Sequence, residues 1–111
     1  MLEREQRVLG LLGFAARARG LITGVPLVCE ALKNQKKNTP LCVILANDAS
    51  PNSKKRILDR TAFYKVPCYL PEIDRDALAH AIGKRDAAVS AVGVTDRHLA
   101  DAIMALWEEQ A

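Results

Sequence analysis

Two histidines, three cysteines and a scatter of serines and carboxylates are the side chains here that could do covalent chemistry. His80 and His98 stand alone, without H-x-x-H or H-E-x-x-H spacing, so surface or capping roles fit them better than metal ligation. Ser50, Ser53 and Ser90 lack the G-x-S-x-G setting of a nucleophile elbow. Asp48 follows an apolar run, where a catalytic carboxylate can sit, but nothing pairs with it, and a turn-forming Asx role is commoner. Cys29, Cys42 and Cys68 sit in apolar company and form no C-x-x-C pair, so buried thiols are expected rather than zinc or a disulfide. No G-x-x-x-x-G-K or G-x-G-x-x-G phosphate loop is present. The expectation is a chain with no catalytic set, no metal and no cofactor.

Non-covalent phosphate binding has more to work with. Three segments could meet at one end of a sheet: Gly24-Val25-Pro26, Asn47-Asp48-Ala49-Ser50, and Gly83-Lys84-Arg85-Asp86-Ala87. The first two open helices, where free N–H groups and the helix dipole favour an anion. The third adds two cations. Lys54, Lys55 and Arg56 fall in the first turns of a helix, where positive charge opposes the dipole at a cost of about 0.3–1 kcal/mol. That cost suggests a use. A solvated face with Lys55 paired to Asp59 at i, i+4 is the competing explanation.

The elements that must hold these segments are organised around Leu41 to Ala46, six apolar residues in a row. A run this short and apolar predicts a strand buried on both faces. Ser50-Pro51 then predicts an N-cap with proline at the first helical position. Before it come a helix from Glu3 to about Arg19, closed by a glycine at Gly20, and a short strand over 21–23. Gly10, Gly13 and Phe14 interrupt the polar side of that helix, which suggests that a second helix crosses there. A second helix runs from Pro26 to Asn34, with Leu27, Val28, Ala31 and Leu32 inward. After the central strand come a helix from Pro51 to Tyr64 (Ile57, Leu58 and Thr61 inward), a strand over 66–70, and a short helix capped by Asp74 and stopped by Gly83. A central strand over 87–94 follows, then a last helix capped by Thr95 with Leu99, Ile103, Leu106 and Trp107 inward. Strands alternating with helices predict an α/β sheet covered on both faces.

At 111 residues, half of them apolar, the chain is long enough for one core, and a single domain over 1–111 is expected. No apolar run approaches a membrane span, and Met1-Leu2-Glu3-Arg4-Glu5 is charged at once, unlike a signal peptide. A cytoplasmic location is the expectation. A net charge of +3, from 16 basic and 13 acidic residues, permits a nucleic-acid partner without demanding one.

Read in order, Leu11-Leu12-Gly13-Phe14-Ala15-Ala16-Arg17-Ala18, the Gly20…Gly24 turn, Leu45-Ala46-Asn47-Asp48-Ala49-Ser50, Val66-Pro67 and Ala79-His80-Ala81-Ile82-Gly83-Lys84 resemble the YlxQ-like proteins. These are small bacterial members of the kink-turn-binding ribosomal-protein superfamily of the L-seven-Ae and L-thirty-e type. The resemblance covers nearly the whole chain. It implies a three-layer α-β-α sandwich around a mixed four-stranded sheet. It also implies a non-enzymatic protein that grips RNA kinks; a structured, kink-turn-like RNA of the ribosome or its assembly, alongside ribosomal or assembly proteins, is the expected partner, and a monomer the expected state. The implied contacts are Gly24, Val25 and Pro26 with Lys33, and Gly83, Lys84, Arg85, Asp86 and Ala87; Lys36 and Lys37 are expected to add backbone contacts through their charge. Asn47 and Asp48, at the end of the intervening strand, are expected as the floor of the site or its neighbours.

The strongest kink-turn binders of that superfamily read G-x-N-E-x-x-K at the first loop. This chain has Pro26 for the amide, Leu27 for the carboxylate and Glu30 for the lysine. Proline offers no donor, leucine cannot accept from a guanine edge, and Glu30 repels phosphate. Shape and backbone contacts through the lysines and Arg85 remain. The alternative is a protein-interaction adaptor on the same fold that has lost base-specific RNA recognition.

Overall fold

The computed structural model describes residues 2–35, 38–84 and 86–108. Lys36, Lys37 and Arg85, expected among the RNA contacts, lie outside the described residues. The elements are α1 (Glu3–Arg17), β1 (Leu21–Thr23), α2 (Val25–Asn34), β2 (Cys42–Leu45), α3 (Pro51–Tyr64), β3 (Cys68–Tyr69), α4 (Arg75–Ala81), β4 (Ala91–Val94) and α5 (Arg97–Glu108).

The strands lie in the order β1-β4-β2-β3. β4 runs antiparallel to both β1 and β2, and β3 runs parallel to β2, so the four-stranded sheet is mixed as expected. Every residue of β2 and β4 is buried. The pleat sends successive side chains to opposite faces. Cys42, Ile44, Val92 and Val94 pack with Val8 and Leu12 of α1, Leu78 of α4 and Ile103 of α5. Val43, Leu45 and Ala91 pack with Val28 and Leu32 of α2 and Ile57 of α3. The result is the three-layer α-β-α sandwich, with helices α1, α4 and α5 on one face and α2 and α3 on the other. Each fully buried Val, Leu or Ile contributes about 1.5–3 kcal/mol, which makes the two inner strands the main source of cohesion.

Several local expectations shift. α1 ends at Arg17, and the left-handed residue after it is Arg19 (φ 58°), not Gly20. Arg19 N–H donates to Ala16 O and Gly20 N–H to Ala15 O, which closes the helix in a Schellman turn. Gly20 is needed for another reason: a Cβ there would stand 2.9 Å from the Cβ of Asp96. α2 turns Val25, Val28, Cys29 and Leu32 inward and leaves Leu27 57% exposed. On α3, Ile57 and Thr61 are buried but Leu58 is exposed. The strands expected over 66–70 and 87–94 contract to β3 and β4. The cap of α5 is Asp96, whose Oδ1 accepts from Leu99 N–H, because Thr95 N–H is still engaged with Gly20 O. The expected helix crossing occurs at Gly13, where an added Cβ would meet Ala81 O of α4 at 3.2 Å; Gly10 faces open space.

Glu5 carries no signal in the sequence, yet it is fully buried. Its carboxylate accepts from Arg4 at 3.0 and 3.2 Å and from the backbone N–H of Glu72 at 2.9 Å. Arg4 in turn lies over the ring of Trp107, which stacks on Tyr69. The hydrogen bond from Arg4, helped by the one from Glu72, holds the Glu5 carboxyl below the usual carboxylate range, against the burial that pushes it up.

Candidate nucleic-acid interface

The register brings three chain segments to one end of the sheet: the end of β1, the end of β2 and the start of β4. Gly24 N–H donates to Ala91 O, and Ala46 N–H donates to Ser90 O, both at 2.8 Å. Gly24 holds φ at +98°, a conformation suited to glycine, and this turns the chain directly from β1 into α2. Pro26 takes the first turn of α2, where its missing N–H costs nothing. α3 starts with its cap made: Ser50 Oγ accepts from Ser53 N–H at 3.1 Å, and Pro51 follows. Neither helix has an acidic residue in its first turn. At the third segment, Gly83 (φ +84°) ends α4 by donating to His80 O, and Lys84 N–H donates to Ala79 O. That turn carries Lys84 back toward the sheet.

Together these segments enclose an open cleft of about 470 Å³. Gly24, Val25 and Pro26 form one wall, Lys84 and Ala87 another, and Ser53 and Arg56 of α3 the third. Beyond Thr23 and Lys84 lies a second, smaller cleft of about 280 Å³, lined by Arg19. Arg19, Arg56 and Lys84 are exposed and have no ion-pair partner among the described residues. Lys33, Lys54, Arg60 and Lys65 likewise have no ion-pair partner among the described residues but line neither cleft, whereas Lys55 is paired with Asp59, Arg75 with Asp48, Arg97 with Asp101 and Arg7 with Glu3. Three uncompensated cations around two uncapped-by-acid helix starts make a site for anionic oxygens. The described lining holds no histidine, cysteine or carboxylate beside Ser53 or Ser90. The groups with the largest upward shifts lie in the body of the sheet: burial pushes the Cys42 thiol up to about 12 and the Cys68 thiol to about 11.

Of the residues expected at the interface, Gly24, Val25, Pro26, Lys84 and Ala87 line the cleft, and Gly83 shapes its turn. Asp86 is exposed in the loop between Lys84 and Ala87. Asn47 and Asp48 are not among the residues that line the cleft. Asn47 N–H donates to Ile73 O, and Asp48 Oδ1 accepts from Arg75 N–H at 2.8 Å, so this turn is tied to the start of α4. Lys33 sits eight residues along α2 from Val25, about 12 Å up the helix and away from the cleft. Ser53, Arg56 and Arg19 were missing from the expected set. For Arg56 a signal existed, since a cation in the first turns of a helix opposes the dipole; the structure separates it from Lys55, which is spent on Asp59. Leu27 and Glu30, two of the three departures noted at the first loop, do not line the cleft. They line a different one with Ile22 and Ala31.

Comparison with known proteins places this geometry. Residues 6–103 match the family model of the ribosomal protein L7Ae/L30e/S12e/Gadd45 family. The RNA-binding protein YlxQ of Bacillus subtilis (strain 168) is similar at 38% identity over 98 residues, which span 88% of this chain and 92% of that protein. An RNA-binding protein YlxQ of Enterococcus faecium is 42% identical over 64 residues, spanning 58% of this chain and 59% of its own length. Among solved structures, a protein with unknown function from Bacillus halodurans C superposes with a TM-score of 0.80 at 37% identity, over 91% of this chain and 96% of the other. The Giardia lamblia 15.5kD RNA binding protein superposes with a TM-score of 0.77 at 18% identity, over 98% and 88%, a likeness of fold.

Proposed function

The chain belongs to the ribosomal protein L7Ae/L30e/S12e/Gadd45 family and is YlxQ-like within it, and from that membership we propose that it is a non-catalytic RNA-binding protein. Its RNA is structured and kink-turn-like, its setting the cytoplasmic ribosome or ribosome assembly, and its working unit a single domain acting as a monomer. The observation that carries this reading is the cleft at the end of the sheet. It is open, lined by Arg56 and Lys84 beside the first turn of α2, with Arg19 in the smaller cleft that adjoins it at Thr23 and Lys84. Such a surface takes phosphates in a fixed spatial arrangement and so recognises a bent backbone.

The mode of recognition follows from what lines the cleft. Pro26 has no N–H to give, and Leu27 and Glu30 point elsewhere. The RNA is therefore read by shape and backbone more than by base edges. The relatives named RNA-binding and the family itself support the RNA reading over a pure adaptor.

The test is a titration of a labelled kink-turn RNA against a straight duplex of matched length and composition at low salt. The kinked RNA binds more tightly, and exchanging base pairs at the kink while keeping it bent changes affinity less than straightening it does. Equal binding of kinked and straight RNA defeats shape recognition, and no binding to either, or to ribosomal RNA, defeats the RNA reading as a whole.

A further inference from the structure

β1 forms one edge of the sheet, and its register decides which backbone groups stay unused. Leu21, Ile22 and Thr23 stand opposite Val94, Gly93 and Val92. On either side of them, Thr95 N–H donates to Gly20 O, and Gly24 N–H donates to Ala91 O. Bonded and non-bonded pairs alternate along an antiparallel ladder. Ile22 is therefore bonded to Gly93, while Leu21 and Thr23 turn their N–H and C=O groups off the edge. Neither meets a backbone partner there among the described residues. Proteins usually shield such edges with charge, proline, a bulge or a covering element. Among the described residues none of these stands within β1, which is three residues long.

A cleft lies on each side of this strand. On the α2 face, Ile22, Leu27 and Ala31 line about 310 Å³ of space, with Glu30 at its rim. On the α1 and α4 face, Leu21 and Thr23 line the smaller cleft of about 280 Å³ with Arg19 and Lys84. The assignment of Ile22 to one and its two neighbours to the other is the pleat's own alternation. The chemistry of the two sides is opposite. The first offers apolar surface and an acid that has no ion-pair partner among the described residues; the second offers two such cations.

We propose that the β1 edge is a docking site for an extended segment of a partner protein, which joins the sheet as a fifth strand. Its side chains alternate, apolar or basic toward Ile22, Leu27 and Glu30, and acidic toward Arg19 and Lys84. Main-chain bonds to Leu21 and Thr23 hold it, and the alternating clefts select it. This goes beyond RNA binding and uses a different surface, but the two share Arg19 and Lys84. The partner segment and RNA therefore compete.

The probe is a short capped peptide that alternates isoleucine with glutamate and ends in lysine. Amide exchange is followed by NMR on the full chain. In the free protein Leu21 and Thr23 exchange fast and Ile22 slowly; the peptide slows Leu21 and Thr23 by an order of magnitude or more. Methylating the peptide nitrogens that face the edge abolishes binding, while methylating the alternate nitrogens leaves it. Leu27→Gln weakens the peptide several-fold and leaves RNA affinity unchanged. Saturating peptide displaces labelled RNA. Equal binding by both methylated peptides, or protection confined to α3, overturns the proposal. So does protection of Leu21 and Thr23 that rises with protein concentration alone, which assigns the edge to a second copy. RNA binding with no peptide binding defeats this proposal and spares the previous one; peptide binding with no RNA binding does the reverse.

Discussion

Removing the two cations that line the main cleft is the most direct perturbation of the proposed interface. Arg56→Gln with Lys84→Gln removes both charges, keeps a polar side chain at each position and leaves Arg19 as the one uncompensated cation of the three. Each phosphate neutralised by a cation releases condensed counterions, which lowers log K by about 0.7–0.9 per tenfold rise in salt. Three such contacts give a slope of about −2 to −3. Between about 50 and 200 mM salt the wild-type chain therefore loses roughly twenty- to fortyfold in affinity, and the double variant roughly threefold. Both substituted side chains are exposed, so the fold is left intact, which a urea melt checks. Fluorescence anisotropy with labelled kinked RNA at four or more salt concentrations reads the two slopes. Lys65→Gln, at the far end of α3, is the control and leaves the slope unchanged. If the double variant and the control keep the wild-type slope, the cleft is not where phosphates are met.

The remaining predictions concern how the fold supports that site. Arg19 holds a left-handed conformation that glycine adopts without strain; Arg19→Gly therefore holds or raises stability by up to about 1 kcal/mol in urea melts while weakening RNA, a split that a merely structural residue does not show. Glu5→Ala leaves the Glu72 N–H without its acceptor and costs about 1–3 kcal/mol, whereas Glu5→Gln keeps an acceptor and costs less. Because the Glu5 pKa is lowered on folding from its ordinary 4.5, its charge stabilises above that pH and the benefit is lost as pH falls through the folded value; wild type and Glu5→Gln therefore converge in stability on acidification, as urea melts from pH 7 to pH 3 check. Gly93→Ala places a Cβ 2.8 Å from Cγ of Pro40 and 2.9 Å from its Cβ, an overpacking that costs about 1–3 kcal/mol in urea melts.

What the sequence discloses is what is local. The apolar run at 41–46 needs no partner to read as a buried strand, and Ser50-Pro51, Asp74 and Gly24 each carry their turn or cap in their own chemistry. The inner face of α2 is different. Residues 27, 28, 31 and 32 and residues 25, 28, 29 and 32 both fit a helical stripe, and only the bond from Gly24 to Ala91, formed across the sheet, selects the second. The cap of α5 moves one residue for the same kind of reason, since Thr95 is still held by Gly20. Glu5 is invisible because its partner lies 67 residues away. At the cleft, the loops were legible as loops, but α3's part in it depends on how α3 packs beside α2. Asp48 reads as a neighbour of the site until Arg75 is seen to take it.

The strand order has a consequence for synthesis. β4 lies between β1 and β2 and is bonded to both, yet it is the last strand to leave the ribosome. Until Ala91–Val94 has emerged, β1 has no strand beside it, and the end of the sheet that carries Gly24 and Ala46 has nothing to bond to. The cleft therefore cannot exist on a growing chain before β4 is made: it appears in one step with the closing of the sheet. A chain cut before residue 91 lacks the strand that joins β1 to β2, and with it the cleft.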